Sequence, residues 1–237
     1  MGSKTLHPLV SVIDLSKADL SSHTDFKFGF YTILLSECKC EAYRYGHQYY
    51  DFSDGTLLCL TPGESISMKD SDNTRPSKGW ILAFHPDLIC GTVLGANIRD
   101  YTFFSYRPEE ALHVSLREKQ VILELLDKIN EELQRCIDCY SQKIISIELL
   151  LDYCERFYER QFITRNEANK KIIERFDRLL DDHFNTIQSQ SSDLPTIEEC
   201  VRVLRLSPAY FNDLLEYETG KSYKEYLQFK RFEIAKE

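Results

Sequence analysis

The feature that most limits what this chain can fold into is a change of hydrophobic period near residue 115. Before it, short runs of β-branched, aromatic and aliphatic residues alternate with turn signals, at 9–14, 28–35, 41–45, 49–52, 56–60, 80–84 and 101–105. Asp54-Gly55 stands between two apolar runs, a strong hairpin signal, and Pro62-Gly63 marks a further turn. No regular helical pattern interrupts these runs, so the spacing predicts an antiparallel sandwich or barrel. Beyond residue 115 the period becomes helical. Ser115 and Glu118 form a capping box, and Val121, Ile122, Leu125, Leu126, Ile129 and Leu133 then fall on one stripe. A helix over 141–161 is apolar nearly all round its early turns and is expected to be buried. A third, over 166–183, is strongly charged and leads into the polar segment 188–193, whose linker-like composition places the expected domain boundary there.

Charge and cysteine usage narrow the function classes. A net charge of −9 argues against a protein coated all over with nucleic-acid-binding positive charge, but leaves room for a local DNA-reading surface. No apolar run approaches the roughly 18 residues of a membrane span, and a signal peptide's basic start and apolar core are missing. The expected location is therefore the cytoplasm, with no membrane partner. The eight cysteines are scattered, and without a secretion signal reduced, partly buried thiols are the default.

The C-terminal stretch carries the most information. Thr196 and Glu199 form a capping box opening a short helix through Leu204. Ser207-Pro208 starts a second helix, with Ser as N-cap and Pro where its missing amide costs nothing. That helix carries Phe211, Leu214 and Leu215 inward and ends at Gly220. Ser222 and Glu225 open a third helix bearing Tyr223, Leu227 and Ile234. Two short helices joined by the tight Arg205-Leu206 connection match a helix-turn-helix, although any three-helix bundle shows such caps and stripes. The residue identities go further. Leu206-Ser207-Pro208-Ala209-Tyr210-Phe211, Leu214-Leu215, Glu218-Thr219-Gly220-Lys221-Ser222, Glu225-Tyr226-Leu227, Arg231 and Ala235-Lys236 stand in fixed spacing. This string resembles the first helix-turn-helix of AraC/XylS-type transcription regulators. Upstream, 79–88 (from Gly79-Trp80) and 155–165 (from Glu155-Arg156) resemble stretches found in a subgroup of the same regulators, with less specific motifs.

The resemblance implies an α+β fold. It comprises a β-rich, cupin-like jelly roll acting as a sensor domain over 6–115, a helical dimerisation and linker segment over 116–187, and an all-α helix-turn-helix domain over 193–237. The family carries two helix-turn-helix units in tandem. Here the first is present and the sequence ends inside the helix that would join them, so a chain cut short is the expectation. The implied function is sequence-specific binding of double-stranded promoter DNA, coupled to a signal sensed by the first domain, in a homodimer and not an enzyme. Room is left for a small-molecule effector and a contact with RNA polymerase. Carried over residue by residue, Ala209, Asn212, Asp213 and Glu216 face bases. Asn212 would bond adenine bidentately, Asp213 would accept from cytosine N4, and Ala209 would touch a thymine methyl. Thr196, Ser207, Lys221 and Lys224 would contact phosphates near helix ends. The chain departs from the family in charge, with Glu216-Tyr217-Glu218 where basic residues are usual and nine acids against seven bases from Asp193 onward. Such a unit alone is expected to bind DNA weakly, leaving much of the affinity to a second unit.

Other constellations have bland alternatives. Tyr43, Arg44, Tyr45, His47, Tyr49, Trp80 and Phe84 would line an aromatic effector pocket, or equally form ordinary barrel core. Cys136 and Cys139, with Cys38 and Cys40, have the spacing of a redox or zinc pair, but no thioredoxin-like context surrounds them, and semi-buried thiols are favoured. His47 has no second histidine two residues away, so no metal site and no cofactor is expected. Two rival functions remain: a cupin-type metal-dependent enzyme, and a sensor module acting through protein contacts only.

Overall fold

A computed structural model describes residues 7–17, 25–27, 29–37, 51–67, 78–134, 140–187 and 195–234. The fold is α+β. The strands are β1 (Val10–Asp14), β2 (Asp25–Lys27), β3 (Tyr31–Ser36), β4 (Gly55–Leu60), β5 (Ser65–Ser67), β6 (Gly79–Phe84) and β7 (Leu112–Val114). Five of them form an antiparallel sheet in the order β1-β6-β3-β4-β7, and β2 pairs with β5 in a separate ribbon. The helices are α1 (Pro86–Ile89), α2 (Val93–Asn97), α3 (Leu116–Gln134), α4 (Tyr140–Thr164), α5 (Asn166–Ile187), α6 (Ile197–Leu204), α7 (Pro208–Thr219) and α8 (Tyr223–Ile234). Among the described residues no helix is long and apolar enough to cross a membrane.

The sheet is buried on both faces, and its central strands show why. Ile33-Leu34-Leu35 and Leu57-Leu58-Cys59-Leu60 are continuous apolar runs, as strands covered on two sides require. Leu34, Leu58, Leu60 and Ile81 share one face with Leu15 and Ala111. Ile33, Leu35, Leu57, Cys59, Leu82 and Phe84 alternate with them in register and point to the other face. Cys59 lies close enough to Cys154 of α4 that Cys154 adds to the burial that disfavours its ionisation. Burial alone already pushes Cys59 far up and Cys154 to about 12.

Strand β7 is joined to α4 by side chains that act as a surrogate strand. Gln161 accepts from the His113 amide at 2.8 Å and donates to the Ala111 carbonyl at 3.0 Å, while Arg160 Nη2 donates to the His113 carbonyl at 2.8 Å. Three edge groups that would otherwise be open for pairing are thereby satisfied inside the protein. Phe103 stacks on Tyr158 at 5.5 Å, and Tyr106 meets the same ring edge-on at 5.1 Å. The residues singled out in 155–165 are therefore those that fasten α4 to the sheet.

Several expectations need correction. Residues 102–105 form a 3₁₀ turn, not a strand, because Phe103 and Phe104 must both point inward and an extended chain would send one outward. Two short helices interrupt the β region where none is expected. His85 caps α1 through Nδ1, which accepts the Asp87 amide, and Thr92 caps α2 by accepting from Gly95. Strand β7 was not anticipated either. The strands expected at 41–45 and, for the most part, 49–52 lie outside the described residues, as do the segment 188–193 and Cys38, Cys40, Cys136 and Cys139.

The chain divides into two compact units, Met1–Gln161 and Phe162–Glu237. In the first, α3 buries Ile122, Leu125, Leu126, Ile129 and Leu133 of the stripe that sequence spacing predicts, while Val121 is half-buried. In the second, Phe176 and Leu180 of α5 join Cys200, Val201, Leu204, Phe211 and Leu215 in one core. Helix α5 thus belongs with the terminal helices, whereas composition places the boundary after it at 188–193.

Candidate nucleic-acid interface

The second unit is organised by caps legible in the sequence. Thr196 Oγ1 accepts the Glu199 amide at 3.3 Å and Glu199 accepts the Thr196 amide at 2.8 Å, starting α6. These hydrogen bonds hold the Glu199 carboxyl below its usual range. Helix α6 ends at Arg205, which adopts φ 62°, the left-handed region. No other described residue except glycine has positive φ. Ser207 then caps α7 by accepting the Tyr210 amide at 3.2 Å, with Pro208 at the first helical position. Gly220 closes α7 at φ 67°, its amide bonded to the Glu216 carbonyl. Only Arg205, Leu206 and Ser207 separate the two helices.

The core beneath fixes their positions. Phe176 of α5 meets Phe211 of α7 edge-on at 4.8 Å and lies within 5.8 Å of both Tyr223 and Tyr226 of α8. The Tyr223 hydroxyl donates to the Pro195 carbonyl at 2.9 Å and touches Cys200 Sγ at 3.4 Å, tying the entry of α6 to α8. Tyr226 donates to Asp177 at 2.7 Å. Burial first, then these polar neighbours, pushes both phenols above their ordinary range.

The expected base-facing residues do lie on one side of α7, but they are unequally available. Glu216 is exposed and Ala209 partly so. Asp213 is half-buried and already interacts within the protein. Asn212 Oδ1 accepts the Tyr223 amide at 3.1 Å, capping α8. A bidentate adenine contact needs that oxygen as well as the amide nitrogen, so it would require the cap to open. The expected phosphate contacts also separate. Lys224 is exposed. Thr196 is exposed but its hydroxyl serves the capping box. Lys221 folds back, with Nζ 5.0 Å above the Phe229 ring and 3.5 Å from the Thr219 carbonyl. Ser207 is only 3% exposed, so the phosphate contact expected of it is replaced by its work as a cap.

Two residues were missed. Arg202 and Arg205 are exposed at the C-terminal end of α6 and in the turn before α7. The signal for Arg205 was its place between the last apolar residue of one helix and the N-cap of the next. A chain reversal there forces an unusual backbone and turns the side chain to solvent. Beside α7, Tyr217 stacks on Phe162 at 5.6 Å and Asn169 donates to Glu218 at 3.3 Å.

Two of the expected effector residues are described. Phe84 is fully buried and stacks on Tyr31 at 5.3 Å, so it is sheet core, while Trp80 is half-buried in β6. Tyr43, Arg44, Tyr45, His47 and Tyr49 lie outside the described residues. Among the described residues no group of three His, Cys, Asp or Glu side chains is placed to hold a metal ion. No known protein family, curated protein or solved structure matches this chain.

Proposed function

We propose that the protein is a transcription regulator of the AraC/XylS type, in which α6 and α7 form a helix-turn-helix and a cupin-like first unit senses a signal. The observation that carries the reading is the pair α6–α7. A three-residue turn, two side-chain N-caps and a glycine C-terminus coincide with the fixed-spacing string that resembles the family. In this arrangement α7 enters the major groove, while Arg202, Arg205 and Lys224 meet phosphates at its flanks. Two copies of the chain pair through α3 and α4, where Ile145 and Leu149 expose apolar surface one turn apart.

The test is fluorescence anisotropy of labelled DNA from upstream of the protein's own gene, titrated at several salt concentrations against unlabelled competitor. Saturable, competitor-resistant binding that weakens with salt is expected. Arg202→Gln and Arg205→Gln should each lower the salt slope by about 0.9, one phosphate contact. Affinity no greater than for unrelated DNA would reject the reading. It would favour the second one, a sensor acting through protein contacts alone. That alternative draws on the acidic outer face of α7, with Glu216 exposed and the Asn212 oxygen occupied.

A further inference from the structure

The first unit contains a half-open cavity of about 460 Å³, within the range of small-molecule sites. It lies between the first turn of α3 and one face of α4, where Tyr153, Arg156, Phe157 and Arg160 follow at helical spacing. Phe52 closes it from the sheet side. Of the two described residues expected to bind an effector, neither Trp80 nor Phe84 lines it.

Its chemistry is unusual for an acidic chain. Among the described residues Arg117, Arg156 and Arg160 share the lining with one carboxylate, Glu118, an excess of two positive charges. Arg160 is held rigidly. Its Nε and Nη2 each lie 2.9 Å from a Glu118 oxygen, and its guanidinium sits 4.8 Å from the centre of the Phe52 ring. Its Nη1 is buried with no hydrogen-bond partner among the described residues, so Arg160 gives the cavity its charge and a fixed wall and not a free donor. Arg117 and Arg156 are exposed and make no ion pair among the described residues. Arg117 is the second residue of α3, where a cation opposes the helix dipole and lowers stability. What the position provides is a concentrated positive potential beside an aromatic wall of Phe52, Tyr153 and Phe157.

We propose that this cavity binds a small dianion carried on a planar ring, that is, a phosphate monoester of an aryl or nucleoside group. The guanidinium forks of Arg117 and Arg156 match the phosphate oxygens and its charge, and the rings of Phe52 and Tyr153 take the planar body. The proposal is independent of DNA binding.

Calorimetric titration of the full chain, without DNA, tests it with four probes: adenosine monophosphate, phenyl phosphate, inorganic phosphate and benzoate. Saturable one-to-one binding of adenosine monophosphate is expected. Phenyl phosphate binding alongside it indicates any aryl phosphate, and its failure to bind indicates a nucleotide. Arg117→Gln and Arg156→Gln should each weaken binding by about tenfold or more, since each removes a charged hydrogen bond. Both side chains are exposed, so the variants keep the fold, which the fluorescence of Trp80 verifies. Phe52→Ala should weaken the ring-bearing probes alone. No binding of either ring phosphate, or binding unchanged in both arginine variants, overturns the proposal. Equal affinity for inorganic phosphate overturns the ring, and equal affinity for benzoate overturns the dianion.

Discussion

Replacing Glu118 with Gln tests a group that serves at once as a helix cap and as half of an ion pair. Its carboxylate accepts the Ser115 amide at 2.8 Å and the Ser115 hydroxyl at 3.0 Å, capping α3. The same oxygen, Oε2, also accepts from Arg160 Nη2, and its neighbour Oε1 from Arg160 Nε, in a pair whose side chains are only 21% and 13% exposed. The amide of Gln retains one acceptor but turns an NH₂ toward a guanidinium. Weakening the cap costs about 1 kcal/mol. Leaving Arg160 without its counter-charge costs up to about 3–5 kcal/mol when fully buried, and the residual exposure brings this to about 2 kcal/mol. The sum, about 3 kcal/mol, lowers the melting temperature of a unit of this size by roughly 6–12 °C. The assay is direct because the chain has one tryptophan, Trp80, and it lies in β6, so its fluorescence follows the first unit. In a double-mutant cycle with Arg160→Met, the paired variant should recover about 1–2 kcal/mol relative to the sum of the single losses. A loss below about 1 kcal/mol for Glu118→Gln, or additivity within about 0.5 kcal/mol, would refute the argument.

Further outcomes follow from the same packing. Gly79→Ala should destabilise the first unit by more than about 2 kcal/mol, because Gly79 has φ 152° and an added Cβ would collide with the Leu35 carbonyl oxygen. Urea titration followed by Trp80 fluorescence checks this, and a variant as stable as the parent contradicts it. Tyr223→Phe should cost the second unit about 1–2 kcal/mol by orphaning the Pro195 carbonyl, a loss visible in far-ultraviolet circular dichroism while Trp80 fluorescence is unchanged. Cys154 holds its proton up to about 12 in the folded state against 9.0 for a free thiol, so the folded state binds the extra proton between those values. Stability should then fall as pH rises through that window, by about 1.4 kcal/mol per pH unit for such a thiol, and equilibrium unfolding at pH 9, 10 and 11 measures it. Cys59→Ala/Cys154→Ala should flatten this slope; an unchanged slope assigns it to other groups. Glu216→Lys should raise the affinity of the protein for any duplex DNA and steepen its salt dependence by about 0.9, and an unaltered slope would place α7 away from the phosphates.

Sequence alone determined α6, α7 and α8 nearly to the residue. Each start there is a Ser or Thr whose partner stands three positions on, and each signal acts within a single turn: Thr196 with Glu199, Ser207 with Tyr210, Ser222 with Glu225. The buried stripe of α3 was legible for the same local reason. Tertiary structure decided whatever depends on residues far apart in the chain. Helix α5 joins the terminal helices because Phe176 finds Phe211, Tyr223 and Tyr226, none of which its own period announces. Asn212 is turned inward by an amide eleven residues away, and Ser207 is buried by the helices it connects. The cationic cavity joins one face of α4, bearing Arg156 and Arg160, to residues 52 and 117, which no spacing rule groups with it. Caps and periods are read within about one helical turn, whereas these arrangements follow from which apolar faces meet and which polar groups are then left to find partners.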